Sequence, residues 1–341
     1  MPPALHLEAE PLDLHTRHPF IIARGGRAEH RTVWVRVTDR DGAVGWGEAA
    51  PSPYYGETPD TVLAALGRYR PELPDDPLDL DAADARFARA LAGNPSARAA
   101  LSMALHDLAG KRLGVPLWRF WGLDPTTAPP STFTIGLDAP DKMRAKVAEA
   151  EPYPVLKVKL GTPRDVEILR TIRDATSKEL RVDANGSWTR THALRMLPLI
   201  EEYGVTVLEQ PLPPRDLAGL AAVTRAARIP VIADESCLVA ADIPPLAGVV
   251  DGINIKLAKC GSLREALRMV AVARAHAMTV MLGCMIESSI AITAAAHLAP
   301  LVDLVDLDGA ALLSDDPFVG AGIDAGRLSL PTAPGLGVRA R

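Results

Sequence analysis

The chain has 341 residues, and 37 basic against 42 acidic side chains leave a net charge of −5 at pH 7. That balance excludes nucleic acid as the main partner, because phosphate binding needs a basic face. The length exceeds a plain βα barrel of about 250 residues, so a second, smaller unit is expected. Residues 5–14 and 31–37 read as strands, the second alternating Val33, Val35 and Val37 with polar neighbours. Asp41-Gly42 is hairpin-turn chemistry, and residues 43–49 return as a third strand. Between the first two strands, residues 17–30 are rich in glycine and arginine and are expected as a loop. Residues 51–58, with Tyr54 and Tyr55, form a second loop. Helical patterns follow over residues 59–69 behind Thr58, over 80–92, and over 96–113 behind Asn94-Pro95. Residues 1–125 therefore read as an α+β capping unit whose long loops are candidate specificity lids.

Eight apolar runs come next, at residues 132–137, 155–160, 180–183, 205–209, 231–234, 252–256, 279–283 and 304–308. Helical patterns lie between them, as over residues 138–149, 163–176, 190–203, 263–276 and 290–298. No comparable helix follows Asp308, and the glycine- and proline-rich residues 317–338 are expected to turn back onto the first unit. The fold class expected is α/β: a modified TIM barrel, (β/α)7β, over residues 126–314, with the cap 1–125 completed by 315–341. No apolar run is long enough to span a membrane without a charge or proline, and residues 1–14 lack an apolar signal core. Cys237, Cys260 and Cys284 give no disulfide framework and no CxxC spacing. A cytoplasmic protein without a membrane partner is the expectation.

Charged residues recur at the ends of these runs. Lys157 to Asp183, Asp183 to Glu209 and Glu209 to Asp234 are steps of 26, 26 and 25 residues, about one βα repeat. Asp183, Glu209 and Asp234 thus project from consecutive strands on one rim, and hard oxygen ligands around an open position suit Mg²⁺. Taken singly, each could equally be a helix cap or a rim ion pair. Lys157 and Lys159 share one strand face, with Leu156, Val158 and Leu160 on the other. Inward lysines are costly unless they serve a site. Lys256 lies four strands on, nearly opposite. A lysine near other cations and a divalent metal can be lowered into the range of a general base. Two lysines flanking one substrate can remove a proton from one face and return it to the other. Lys259 falls outside the strand and reads as a surface residue.

This order of Lys-x-Lys, Asp-Ala-Asn-Gly, Glu-Gln-Pro, Asp-Glu-Ser and a sixth-strand lysine resembles the enolase superfamily, in its muconate-lactonizing-enzyme subgroup. The resemblance covers nearly the whole chain. It implies one Mg²⁺ per subunit on Asp183, Glu209 and Asp234, and acid/base roles for Lys159 and Lys256. It also implies that Lys157 helps hold the substrate carboxylate. Sites of that superfamily abstract the proton next to a carboxylate while metal and lysines hold the developing charge.

The eighth strand narrows the reading. Asp306 and Asp308 share a face and would suit a substrate ammonium, and this Asp-x-Asp resembles the dipeptide epimerases. Asp308-Gly309 could instead simply start a turn. Met281-Leu282-Gly283-Cys284 ends without the histidine that mandelate-racemase-like dehydratases require. Arg24 matches the arginine that L-Ala-D/L-Glu epimerases use for the glutamate side chain, a task suited to a guanidinium fork; a solvated loop arginine is the alternative. Thr134 and Cys284 match positions that line the dipeptide, and Tyr54-Tyr55 departs from the smaller residues expected there. The expectation is an isomerase, an epimerase of a small-molecule dipeptide, acting on L-Ala-D/L-Glu from murein peptides. An N-acylamino-acid racemase or a muconate-type cycloisomerase stays open within the fold. Outside that class stand a Schiff-base lyase using Lys256 and a non-catalytic barrel. Many barrels of the family associate, so a homo-oligomer is compatible with the chain.

Overall fold

The structure is a computed structural model that describes residues 5–341; residues 1–4, with which the N-terminal expectation begins, lie outside the described residues. Strands β1 (Leu5–Ile22), β2 (Gly25–Asp39) and β3 (Val44–Ala49) form an antiparallel sheet in that order. Val33, Val35 and Val37 of β2 alternate inward and pack with Val62, Leu66, Tyr69 and Phe87 from the helices Pro59–Tyr69 and Leu80–Ala90. The helix Pro95–Leu113 crosses β3 closely because Gly45 and Gly47 have no side chain; a Cβ at either would collide with the Ala104 or Ala100 carbonyl.

Residues 17–30 are not the expected loop. β1 and β2 continue through them as a ribbon, pairing Ile22 with Gly25 across a tight turn after a register shift between His15 and Phe20. A two-stranded ribbon standing over a barrel mouth has no buried face to impose alternation, so polarity alone misleads there. The ribbon is tied to the barrel by the Leu137 amide, which donates to the Ile21 carbonyl at 2.9 Å.

The second unit is an eight-stranded parallel sheet in sequence order. Its strands are β4 (Phe133–Ile135), β5 (Val155–Lys159), β6 (Glu179–Asp183) and β7 (Val205–Glu209). β8 (Val231–Ala233), β9 (Gly252–Ile255), β10 (Thr279–Gly283) and β11 (Leu304–Asp306) complete it. A parallel bridge between Ser131 and Val305 closes the ring, with the Thr132 amide donating to the Val305 carbonyl at 3.2 Å. Among the described residues no α-helix follows β11, only the 3₁₀ turn Ala310–Leu312 and short strands of the tail, as (β/α)7β requires. Leu156, Val158 and Leu160 point outward into the core beneath the helices. Val207, Ile232 and Met281 share the inward register of Lys157, Glu209 and Asn254 and form a small apolar cluster beneath them.

The tail touches both units. The ring of Phe318 stands edge-on to Trp46 at 5.4 Å, and the Leu336 amide donates to Asp107 at 2.8 Å. The Ala321 amide donates to Thr293 of the barrel helix Ser289–Ala296, also at 2.8 Å. No described helix is long and apolar enough to cross a membrane.

Candidate active site

Parallel register carries the three rim acids to one place. Asp183 and Glu209 are register partners at the ends of β6 and β7, and Asp234 follows β8 directly. Each can offer an oxygen within 4.8 Å of the others, and all three are buried. Gln210, at a left-handed φ of 33°, joins the two loops: its Oε1 accepts from the amides of Asp234 at 2.9 Å and Ser236 at 3.1 Å. Burial, and then Asp183, push the Glu209 carboxyl up to about 7. Burial also acts to raise Asp183 and Asp234, but Lys159 beside the first and Lys256 and Lys259 beside the second hold them below the ordinary carboxylate range. An all-oxygen set whose members repel one another in a buried place is a fit for a hard divalent cation such as Mg²⁺.

The lysines sit against these acids. Lys157, 1% exposed at its side chain, places Nζ 2.7 Å from Glu209, 2.6 Å from Asp306 and 3.5 Å from Asp183. Lys159 Nζ is 2.6 Å from Asp183, and Lys256 Nζ is 2.8 Å from Asp234. Lys159 on β5 and Lys256 after β9 are four strands apart in a ring of eight, hence on facing walls. Burial opposes the Lys256 charge, but the surrounding acids, Asp234 foremost and then Glu209, together outweigh it and hold the ammonium above its ordinary value. The carboxylates, which a bound cation would neutralise, are the reason.

On the eighth strand Asp306 accepts from Lys157, from the Thr132 hydroxyl, and from the Thr134 hydroxyl at 3.4 Å. Burial works to raise it, yet Lys157 and then Lys159 bring it down to about 2. Asp308 accepts from the Thr134 amide at 2.5 Å, and burial followed by Asp306 pushes it up to about 7. This is no simple turn: both carboxyls face a cavity of about 570 Å³, a size that admits a small ligand. Thr134, Lys157, Lys159, Asp234, Lys256 and Cys284 line it as well, while Asp183 and Glu209 lie behind the lysines.

The cap closes the other side. Arg24, at the ribbon tip, donates to the Asn185 carbonyl at 2.6 Å and to Glu235 at 2.8 Å, and its guanidinium carbon lies 4.2 Å from the centre of the Tyr54 ring. It is a one-third-exposed residue of the cavity wall rather than a solvated loop arginine. Tyr55 stands edge-on to Tyr54 at 5.0 Å and also lines the cavity.

Three residues of this site carry no role in the sequence reading. Lys259 is fully buried against Asp234, not on the surface. Asn254, two residues before Lys256 and on the same strand face, donates to Glu209 at 2.9 Å; alternation could have found it. Glu235 holds Arg24, a pairing across 211 residues that no local pattern could reveal.

With this geometry in hand, residues 9–122 match the family model of the mandelate racemase / muconate lactonizing enzyme N-terminal domain, and residues 141–341 that of the enolase C-terminal domain-like fold. The chain belongs to this family, the enolase superfamily. Among similar proteins, an L-Ala-D/L-Glu epimerase of Bacteroides thetaiotaomicron is 42% identical over 96% of this chain and 86% of its own. The L-Ala-D/L-Glu epimerase of Bacillus subtilis, solved as a substrate-liganded complex, superposes with a TM-score of 0.93 at 32% identity over 98% of both chains. A dipeptide epimerase of Enterococcus faecalis, solved with Mg and L-Leu-L-Tyr, superposes at 0.92 with 33% identity, again over 98% of both.

Proposed function

We propose that this protein is a Mg²⁺-dependent dipeptide epimerase, an isomerase that inverts the α-carbon of the second residue. The observation that carries the reading is one cavity with Lys159 and Lys256 on facing walls and the Asp306–Asp308 pair on the eighth strand, which the clustered carboxylate triad reaches through Asp234. The similar proteins named above act on dipeptides, and two of them were solved with substrate or with Mg and a dipeptide. Asp183, Glu209 and Asp234 would hold one Mg²⁺, which supplies positive charge where the substrate carboxylate gains negative charge as its α-proton leaves. Lys157 adds a fixed cation beside that position. Lys159 and Lys256 face the α-carbon from opposite sides; one takes the proton and the other returns one. Asp306 and Asp308 receive the free amino terminus, with Thr134 and Cys284 bordering the peptide. Residues 1–125, completed by 315–341, form the cap, and residues 126–314 the barrel.

For the second residue, Arg24 offers a guanidinium to a side-chain carboxylate, which favours L-Ala-D/L-Glu of murein peptides. Two acids built to bind an amine argue against the N-acylamino-acid racemase and cycloisomerase readings, whose substrates lack one. The deciding experiment incubates the protein with L-Ala-L-Glu, L-Ala-L-Leu and N-succinyl-L-Glu, with and without chelator, and follows inversion by chiral chromatography. Inversion of free-amine dipeptides that chelator abolishes is expected. Inversion of the N-succinyl compound in preference would replace this reading with the racemase.

A further inference from the structure

Asp234 carries two lysines, and only one of them lines the cavity. Lys256 Nζ reaches its Oδ2 from the cavity side. Lys259 Nζ reaches Oδ1 at 2.5 Å from behind, with 0% side-chain exposure. The same ammonium donates to the Asp234 carbonyl at 2.6 Å, the Asn254 carbonyl at 2.9 Å and the Cys237 carbonyl at 3.1 Å. Neutralising one carboxylate does not require three backbone acceptors. Those carbonyls belong to the segments after β8 and at the end of β9, so the ammonium joins two neighbouring rim segments around one carboxylate. The short helix Leu257–Cys260 delivers it, ended by Gly261 at a φ of 87°. Asn254 extends the support to the next acid, since its side-chain amide holds Glu209 Oε1 while its carbonyl holds Lys259.

We propose that Lys259 is a positioning residue: it fixes the plane of the Asp234 carboxylate and the rim segments around it, so that Oδ2 is presented to the cavity. The proposal rests on the reading of the triad as a Mg²⁺ site. It makes a prediction opposite in sign to simple charge. Removing a cation beside a ligand makes the site more negative, and charge alone would then tighten a divalent ion. A positioning role requires the reverse, because a supporting contact that orients a ligand is lost.

The test uses the full chain as Lys259→Met and Lys259→Arg, stripped with chelator and titrated with Mg²⁺ by calorimetry. Dipeptide inversion is then measured at saturating Mg²⁺. Lys259→Met is expected to fold by circular dichroism, to bind Mg²⁺ about 10–100-fold more weakly, and to lose kcat by a similar factor with KM for the dipeptide little changed. Lys259→Arg, which keeps the charge and several donors, should recover part of both losses. Unchanged or tighter Mg²⁺ binding in Lys259→Met with normal kcat overturns the proposal. So does loss of the folded state in both variants, which would make Lys259 a residue of the fold alone. Failure of the unsubstituted protein to bind Mg²⁺ or invert any dipeptide would instead strike the function proposed above.

Discussion

The barrel rim and the capping loops line the same cavity with side chains of very different anchorage. On the rim, Lys157 is 1% exposed and touches three carboxylates, and each triad acid is held at both oxygens. On the cap, Arg24 keeps 33% of its side chain exposed, and the Tyr54 that covers it is 44% exposed. Rim positions are fixed by strand register and by charges that must pair because they are buried. Cap positions rest on a ribbon tip and on the 3₁₀ turn Pro53–Tyr55, which has no buried residue. Under the proposed function, the rim would hold the reacting groups in place and the cap would select the second residue.

Substitutions should separate the two regions. The largest effect belongs to the facing lysines: Lys159→Ala and Lys256→Ala should each lower inversion by about 10²–10⁴-fold or more, the range of a lost general acid or base. Chiral chromatography of L-Ala-L-Glu checks this, and a variant retaining near-normal inversion would remove its lysine from the reaction. Next comes the amine pair. Asp308→Asn should raise KM for free dipeptides strongly while leaving Mg²⁺ binding within about twofold, since an ion-paired hydrogen bond of about 1.5–3 kcal/mol is lost away from the triad.

On the cap the expected change is selective rather than general. Arg24→Met should raise KM for an acidic second residue by about 10–100-fold, as a charged hydrogen bond is lost, and change L-Ala-L-Leu little. Equal losses on both dipeptides would mean that Arg24, through Glu235 and Asn185, serves the shape of the rim instead of selecting the substrate.

The smallest effect concerns stability away from both regions. His297 is buried, accepts from the Trp118 amide at 3.2 Å, and meets the Leu336 carbonyl at 3.1 Å through its other nitrogen. Burial lowers its pKa to about 4. Below its ordinary value near 6.5 the unfolded chain binds this proton first, so the stability this neutral ring contributes is full above pH 6.5 and is lost as pH falls toward 4. Thermal melts of His297→Gln should show a shallower decline over that interval than the unsubstituted chain, whatever the difference at pH 7.

How much was legible follows the same division. The rim could be read because a 25–26-residue spacing and period-2 alternation are long-range order written locally. Lys157, Lys159, Asp183, Glu209 and Asp234 follow from it. Lys259 escapes the pattern because it leaves the strand in a short helical turn that doubles back, and no periodicity records that return. Residues 17–30 read as a loop because a ribbon without a buried face carries no alternating apolar pattern. The partners of Arg24 depend on contacts across 161 and 211 residues, which only the folded chain brings together.

The most direct test places L-Ala-L-Glu and L-Ala-D-Glu separately in D₂O with Mg²⁺ and the unsubstituted chain, Lys159→Ala or Lys256→Ala, and follows α-deuterium by mass. Lysines on facing walls require that the unsubstituted chain exchange both epimers. Each variant should fail to invert either one, yet still exchange the single epimer whose proton faces its remaining lysine. Absence of exchange by the unsubstituted chain on any dipeptide, or exchange of both epimers by both variants, would contradict the account.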